Sequence, residues 1–267
     1  MKNFIIGISF FAGACFFSCK KVINVNLNNA SPQVVITGEV TNVPGPYQVS
    51  ITSTVNFSAS NTFPPVSGAF VTIGDNTGIY DTLTESPAGL YSTHSGWQGQ
   101  PGKTYTLSVT AAGKTFTAVS TMPQLVTLDS VGFQQDARGG RNDEVIEAIP
   151  YFQDPAGVAN YYQFTETIND TLLNKIFVFD DEYSNGKYIS VPLFDDSSHL
   201  QIGDKVNFSM YCIDQNVFQY FSELQQLLEA NPFNEATPAN PDTNIKGGAL
   251  GYFSAHTVQT KQVIVHL

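Results

Sequence analysis

From residue 33 to 122 the chain repeats one pattern, short runs of alternating apolar and polar residues set apart by Gly, Pro, Asn and Asp. Alternation with a period of two buries one side of a strand and solvates the other, so the runs at 34–40, 47–51, 69–73, 105–109 and 114–119 predict strands. Asp75-Asn-Thr-Gly78, Pro87-Ala-Gly89, Pro101-Gly102 and Ala112-Gly113 lie between runs, each with a residue tolerant of positive φ where the backbone reverses. About seven strands in roughly 90 residues predict an immunoglobulin-like β-sandwich, which we place at residues 31–123.

After Met122-Pro123 the texture changes. Longer strand patterns run over 159–168, 175–180, 188–194 and 205–213, and Ser184-Asn-Gly-Lys187 predicts a hairpin between the second and third of these. Val217, Phe218, Phe221, Leu224, Leu227 and Leu228 recur at three- and four-residue spacing and predict an amphipathic helix near 216–230. Asp214 or Asn216 is placed to cap its start, and Asn231-Pro232 stops it. Residues 231–248 read as a long loop, a type of segment that often carries contacts, and Asn231, Pro232, Phe233 and Asn244 are candidate contact residues for that reason. Two strand-like runs, 249–255 and 260–267, close a second β-rich domain spanning 124–267.

The N-terminus points to export. The apolar run from Phe4 to Phe17 behind Lys2 falls short of the roughly 20 residues that span a bilayer as a helix, and reads as a signal-peptide core. Ser18 before Cys19 predicts cleavage and acylation at Cys19, giving a leader at 1–18 and a tether at 19–30. A competing box at Ala12-Gly-Ala-Cys15 has better small residues but a shorter apolar run. With Cys19 carrying lipid and Cys15 lost, Cys212 stands alone and no intrachain disulfide forms.

Composition then removes whole classes. A formal charge of -11 and no basic stripe exclude nucleic acid as a natural partner, while 42% hydrophobic and 13% charged residues suit a packed fold. No Gly-x-Ser-x-Gly, Ser-x-x-Lys or His-Glu-x-x-His occurs, and His94, His199, His256 and His266 share no helical ligand spacing, so no enzyme activity is expected. Asp180-Asp-Glu182 and Asp195-Asp196 offer hard oxygens of the kind calcium takes, but their spacing matches no calcium loop, and neither a metal nor any cofactor beyond the covalent lipid is expected. Sugar faces stack on exposed rings, for which Trp97, Tyr161-Tyr162 and Tyr252-Phe253 could serve, and Trp97, Tyr252 and Phe253 are taken as the candidate contacts.

A series of short elements runs in order along the chain: Pro32-Gln-Val-Val-Ile-Thr-Gly38, Val66-Ser-Gly-Ala-Phe-Val-Thr-Ile73, Gly89-Leu-Tyr91, Gly102-Lys-Thr-Tyr-Thr-Leu107, Asp129-Ser-Val131, Tyr220-Phe221, Asn231-Pro-Phe233, Asn244-Ile245 and Ala249-Leu-Gly-Tyr-Phe253. In these the chain resembles the Bacteroidota lipoprotein family of domain of unknown function 4249, from Cys19-Lys20 to the C-terminus, and its first domain is similar to carboxypeptidase-regulatory or transthyretin-like sandwiches. The resemblance implies a non-catalytic outer-membrane lipoprotein, an accessory to a TonB-dependent receptor barrel that aids ligand capture. A surface glycan-binding or adhesive module is the alternative it leaves open.

Overall fold

The computed structural model describes residues 31–56, 62–137, 144–194, 200–229 and 240–267. The N-terminal half of this part contains β1 (Val34–Thr41), β2 (Gln48–Ser53), β3 (Phe70–Asp75), β4 (Tyr80–Thr82), β5 (Thr84–Glu85), β6 (Leu90–Ser92), β7 (Thr104–Ala111) and β8 (Lys114–Thr121). The rest contains β9 (Leu128–Ala137), β10 (Glu144–Gln153), β11 (Tyr161–Ile168), β12 (Thr171–Leu172), β13 (Phe177–Asp180), β14 (Tyr188–Ser190), β15 (Lys205–Ile213), α1 (Gln215–Glu229), β16 (Ile245–Lys246) and β17 (Leu250–Ile264). The fold is mainly β and sandwich-like with a single helix among the described residues, as the alternating pattern predicts.

Three sheets build the described residues. The longest has nine strands in the order β12-β11-β15-β17-β1-β2-β6-β5, with β13 also paired to β11. Its hinge strand is β17, where residues 250–256 run parallel to β1 and residues 257–264 run antiparallel to β15. Two smaller sheets, β16-β8-β7-β3-β4 and β14-β10-β9, complete the structure.

Each smaller sheet encloses a core against part of the long one. The first core joins Ile36, Val40, Val49 and Tyr91 with Val71, Leu107 and Phe116 across the gap, and draws Ile245, Phe253 and Ala255 from the far end of the chain. The second joins Phe164, Phe208, Met210 and Cys212 with Val131, Ile146 and Phe152. Phe253 and Ala255 serve the first core and Thr257, at 0% exposure, sits in register with Cys212 of the second. Because alternate residues of a strand share a face, both cores lie on the same side of the long sheet. Each fully buried aromatic or aliphatic side chain here contributes about 1.5–3 kcal/mol of transfer free energy.

The helix takes the other side. Asp214 caps it, its Oδ1 accepting the Val217 amide at 3.0 Å. Its buried stripe, Val217 and Phe221, packs with Ile213 against Tyr161, Tyr211 and Tyr252 of the sheet.

Two sequence expectations are corrected. The turn at residues 184–187 does not close a hairpin, because β13 pairs with β11 while β14 pairs with β10 in a different sheet. Gly186 does reverse the chain at φ 74, and Asn185 fixes the turn by donating to Val158 O at 2.6 Å and Asp181 at 2.8 Å. Asn-Gly chemistry reports where a backbone turns, and leaves open which neighbour each arm will find. The two closing runs likewise form one continuous strand, β17.

Candidate functional site

On the face of the long sheet opposite the two larger cores, which the helix covers only in part, side chains are left to do something else. Alternation along β17 sends Tyr252, Ser254 and His256 to it, opposite Phe253, Ala255 and Thr257. In-register pairing sets Glu39 of β1 beside Ser254, and Tyr211 of β15 beside Val258. Gln163 and Thr165 arrive from β11, and Phe221 descends from the helix. Together they enclose a cavity of about 170 Å³. A shallower groove of about 260 Å³ shares Glu39 and Tyr252 with it and continues over Thr37, Gln48 and Ser50.

His256 is the centre of this arrangement. The residue is 5% exposed, and its Nδ1 lies 2.8 Å from the Ser254 hydroxyl. Its Nε2 has no hydrogen-bond partner among the described residues and faces Glu39 Oε2 across 4.0 Å. Burial disfavours the imidazolium and lowers its pKa to about 4, so the ring is neutral near pH 7. Glu39 stands at the mouth with 55% of its side chain exposed, yet the part lodged against the cavity is desolvated enough to raise its carboxyl.

Aromatic rings make the walls. Tyr211 meets His256 edge-on at 5.2 Å, and its hydroxyl shares a hydrogen bond of 3.2 Å with Thr165. Tyr252 is held by Tyr220 and Phe221 of the helix, with ring centroids 5.0 and 4.8 Å away. Burial raises the Tyr252 phenol, and the nearby Glu39 charge raises it further, so it stays a neutral donor.

The residues singled out from the sequence separate on folding. Tyr252 lies at the boundary of the cavity and the groove. Phe253, its neighbour, is fully buried in the first core. Asn244 is committed to the backbone of Phe253, donating to its carbonyl at 2.7 Å and accepting its amide at 3.0 Å. Trp97 is half-buried between Tyr47 and Tyr105, in edge contacts at 5.8 and 6.0 Å. Cys19, Asn231, Pro232, Phe233, Asp195, Asp196 and His199 lie outside the described residues.

The remaining polar candidates have local duties. Asp181 is 4% exposed and buttresses the 184–187 turn through Asn185. With Asp180, Glu182 and Glu223 it lines an open acidic groove of about 480 Å³ beside the helix. His94 pairs with Asp81 at 2.6 Å on the surface, and His266 is exposed near the ring of Phe133. Among the described residues no group of three or more His, Cys, Asp or Glu side chains converges as a metal site.

Sequence reasoning passed over Glu39, Ser254 and Tyr211 and treated His256 as an isolated histidine. The alternation Tyr252-x-Ser254-x-His256 was a usable signal for one shared face. Glu39 gave none, since only the parallel pairing of β1 with β17 brings it there.

No curated protein matches the sequence. The region that builds both cores and the open face is instead covered by one family description, and on that match, over residues 20–262, the chain belongs to the family described as Domain of unknown function (DUF4249).

Proposed function

We propose that this protein is a non-catalytic lipoprotein of the outer membrane, acylated at Cys19, that serves a TonB-dependent receptor or a similar outer-membrane assembly and helps it capture a ligand. The observation that carries the binding role is the cavity on the helix-bearing face of the long sheet, walled by aromatic rings and holding a buried imidazole nitrogen with no hydrogen-bond partner among the described residues. Small-molecule sites have this make-up, apolar walls with a few convergent polar groups. The leader and Cys19 support the membrane address, and the family match begins at residue 20.

The polar groups favour binding over catalysis. A serine hydrolase needs its serine on the imidazole nitrogen opposite the one held by the acid, with both hydrogen bonds made and the serine open to substrate. Ser254 is 2% exposed, and Glu39 stands 4.0 Å from Nε2, beyond hydrogen-bond reach.

Two measurements test the proposal. Radiolabelled palmitate should enter the wild-type chain in producing cells and fail to enter Cys19→Ala. Purification in mild detergent should retain a barrel protein at fixed stoichiometry, and recovery of the free chain from every detergent tried would overturn the accessory role.

A further inference from the structure

We infer that the cavity between β1, β17 and α1 binds one ring of an uncharged polyhydroxylated ligand, a neutral sugar, with one ligand hydroxyl bridging His256 Nε2 and the Glu39 carboxylate. The inference rests on the open face being a ligand-capture surface, and it names the chemistry that surface accepts.

The bridging gap is the core of the argument. A neutral imidazole carries one proton, and of its two nitrogens Nε2 faces a carboxylate while Nδ1 faces a hydroxyl that can itself donate. Electrostatics therefore place the proton on Nε2 and have Ser254 donate to Nδ1. An N–H donor and a carboxylate acceptor then confront each other 4.0 Å apart, too far for a direct bond. One atom that accepts from the first and donates to the second, at ordinary hydrogen-bond lengths of roughly 2.7–2.9 Å, matches this separation, and because Nε2 is itself buried the atom reaches it as the Glu39 side chain at the mouth gives way. An alcohol oxygen does both. An ammonium group only donates, a carboxylate only accepts, and a carboxylate or phosphate anion is repelled by Glu39.

The rest of the lining agrees. Lys and Arg are absent from it, which leaves anionic ligands without a counter-charge. Tyr252 and Tyr211 offer the aromatic faces and edges against which the C–H faces of a sugar ring pack, and Gln163 offers uncharged hydrogen bonding. A cavity of about 170 Å³ is on the scale of one such ring. The adjoining groove, with Gln48 and Ser50 on its floor, gives a second ring somewhere to go.

The test is saturation-transfer NMR on the full mature chain in a detergent without a sugar headgroup. The probes are glucose, galactose, mannose, N-acetylglucosamine, maltose and cellobiose, with methylammonium and acetate as charged comparators. At least one neutral sugar should receive saturation and the charged probes none. Glu39→Gln, at an exposed position, keeps the fold and weakens that sugar at least tenfold, and Tyr252→Leu weakens it independently. No transfer to any of the six sugars, or binding of methylammonium or acetate in their place, overturns the inference, as does sugar binding unchanged in both variants. Sugar binding without a co-purifying barrel would remove the accessory role alone, and a stable barrel complex without sugar binding would remove this inference alone.

Discussion

The side-chain oxygen of Ser120 accepts the backbone amide of Ala255 at 2.7 Å, although 135 residues separate the two. The same hydroxyl donates to the carboxylate of Asp214, the residue that caps α1. One buried serine thus joins β8 in the small sheet, β17 in the long sheet and the start of the helix that roofs the cavity. Ser120→Ala strips the Ala255 amide of its acceptor and frees the Asp214 cap, which should cost about 1–3 kcal/mol. Urea unfolding measures this, and a midpoint indistinguishable from wild type would show the contact to be energetically idle.

Gly251 lies opposite Ile36 in the parallel pairing of β17 with β1. Its φ is 96°, and a methyl group there would lie 2.0 Å from the carbonyl oxygen of Ile36. Gly203 has the same φ of 96° but open space around it. The pair separates backbone strain from collision. Gly203→Ala should lose only about 1–2 kcal/mol from the unfavourable dihedral, while Gly251→Ala should lose about 4 kcal/mol or more. Thermal unfolding of both variants checks this, and equal losses would mean that β17 shifts away from β1 at little cost.

The contrast between strands that were legible and strands that were not follows the same physics. β1, β2, β7 and β8 each bury one face and solvate the other, so their alternation is written in the sequence. β10 gave no such signal, because residues 146–150 are buried on both faces and include Pro150. The helix was readable from its stripe, and its cap resolved to Asp214. The cavity was half readable. Tyr252 was chosen from the sequence as a ring, but His256 gained its meaning only when β17 was laid between β1 and β15, a pairing that local pattern does not encode.

Cys212 provides a chemical check on the second core. The thiol is 3% exposed and burial raises its pKa, so little of the reactive thiolate forms near neutral pH. Ellman's reagent should leave the folded mature chain untouched over hours and titrate one thiol per chain in concentrated urea. Two thiols in urea would place a free Cys19 on the mature chain, and rapid reaction without urea would open the core assigned to β15.

The buried imidazole makes acid stability specific to one residue. With a folded pKa of about 4 against 6.5 in the unfolded chain, His256 binds its proton more readily when unfolded. Between those two values the unfolded state carries the extra proton, so stability falls as pH drops from 6.5 towards 4, by roughly 3 kcal/mol in full. Glu39 acts in the opposite sense. Its raised carboxyl holds a proton in the folded state above the 4.5 of the unfolded chain, so its contribution is present at low pH and lost as pH rises through the folded value. Unfolding free energies measured across this range should therefore show a flatter acid limb in His256→Gln and a steeper one in Glu39→Gln. If the two variants keep the wild-type slope, the nitrogen facing Glu39 is already solvated and the cavity is not the desolvated pocket described above.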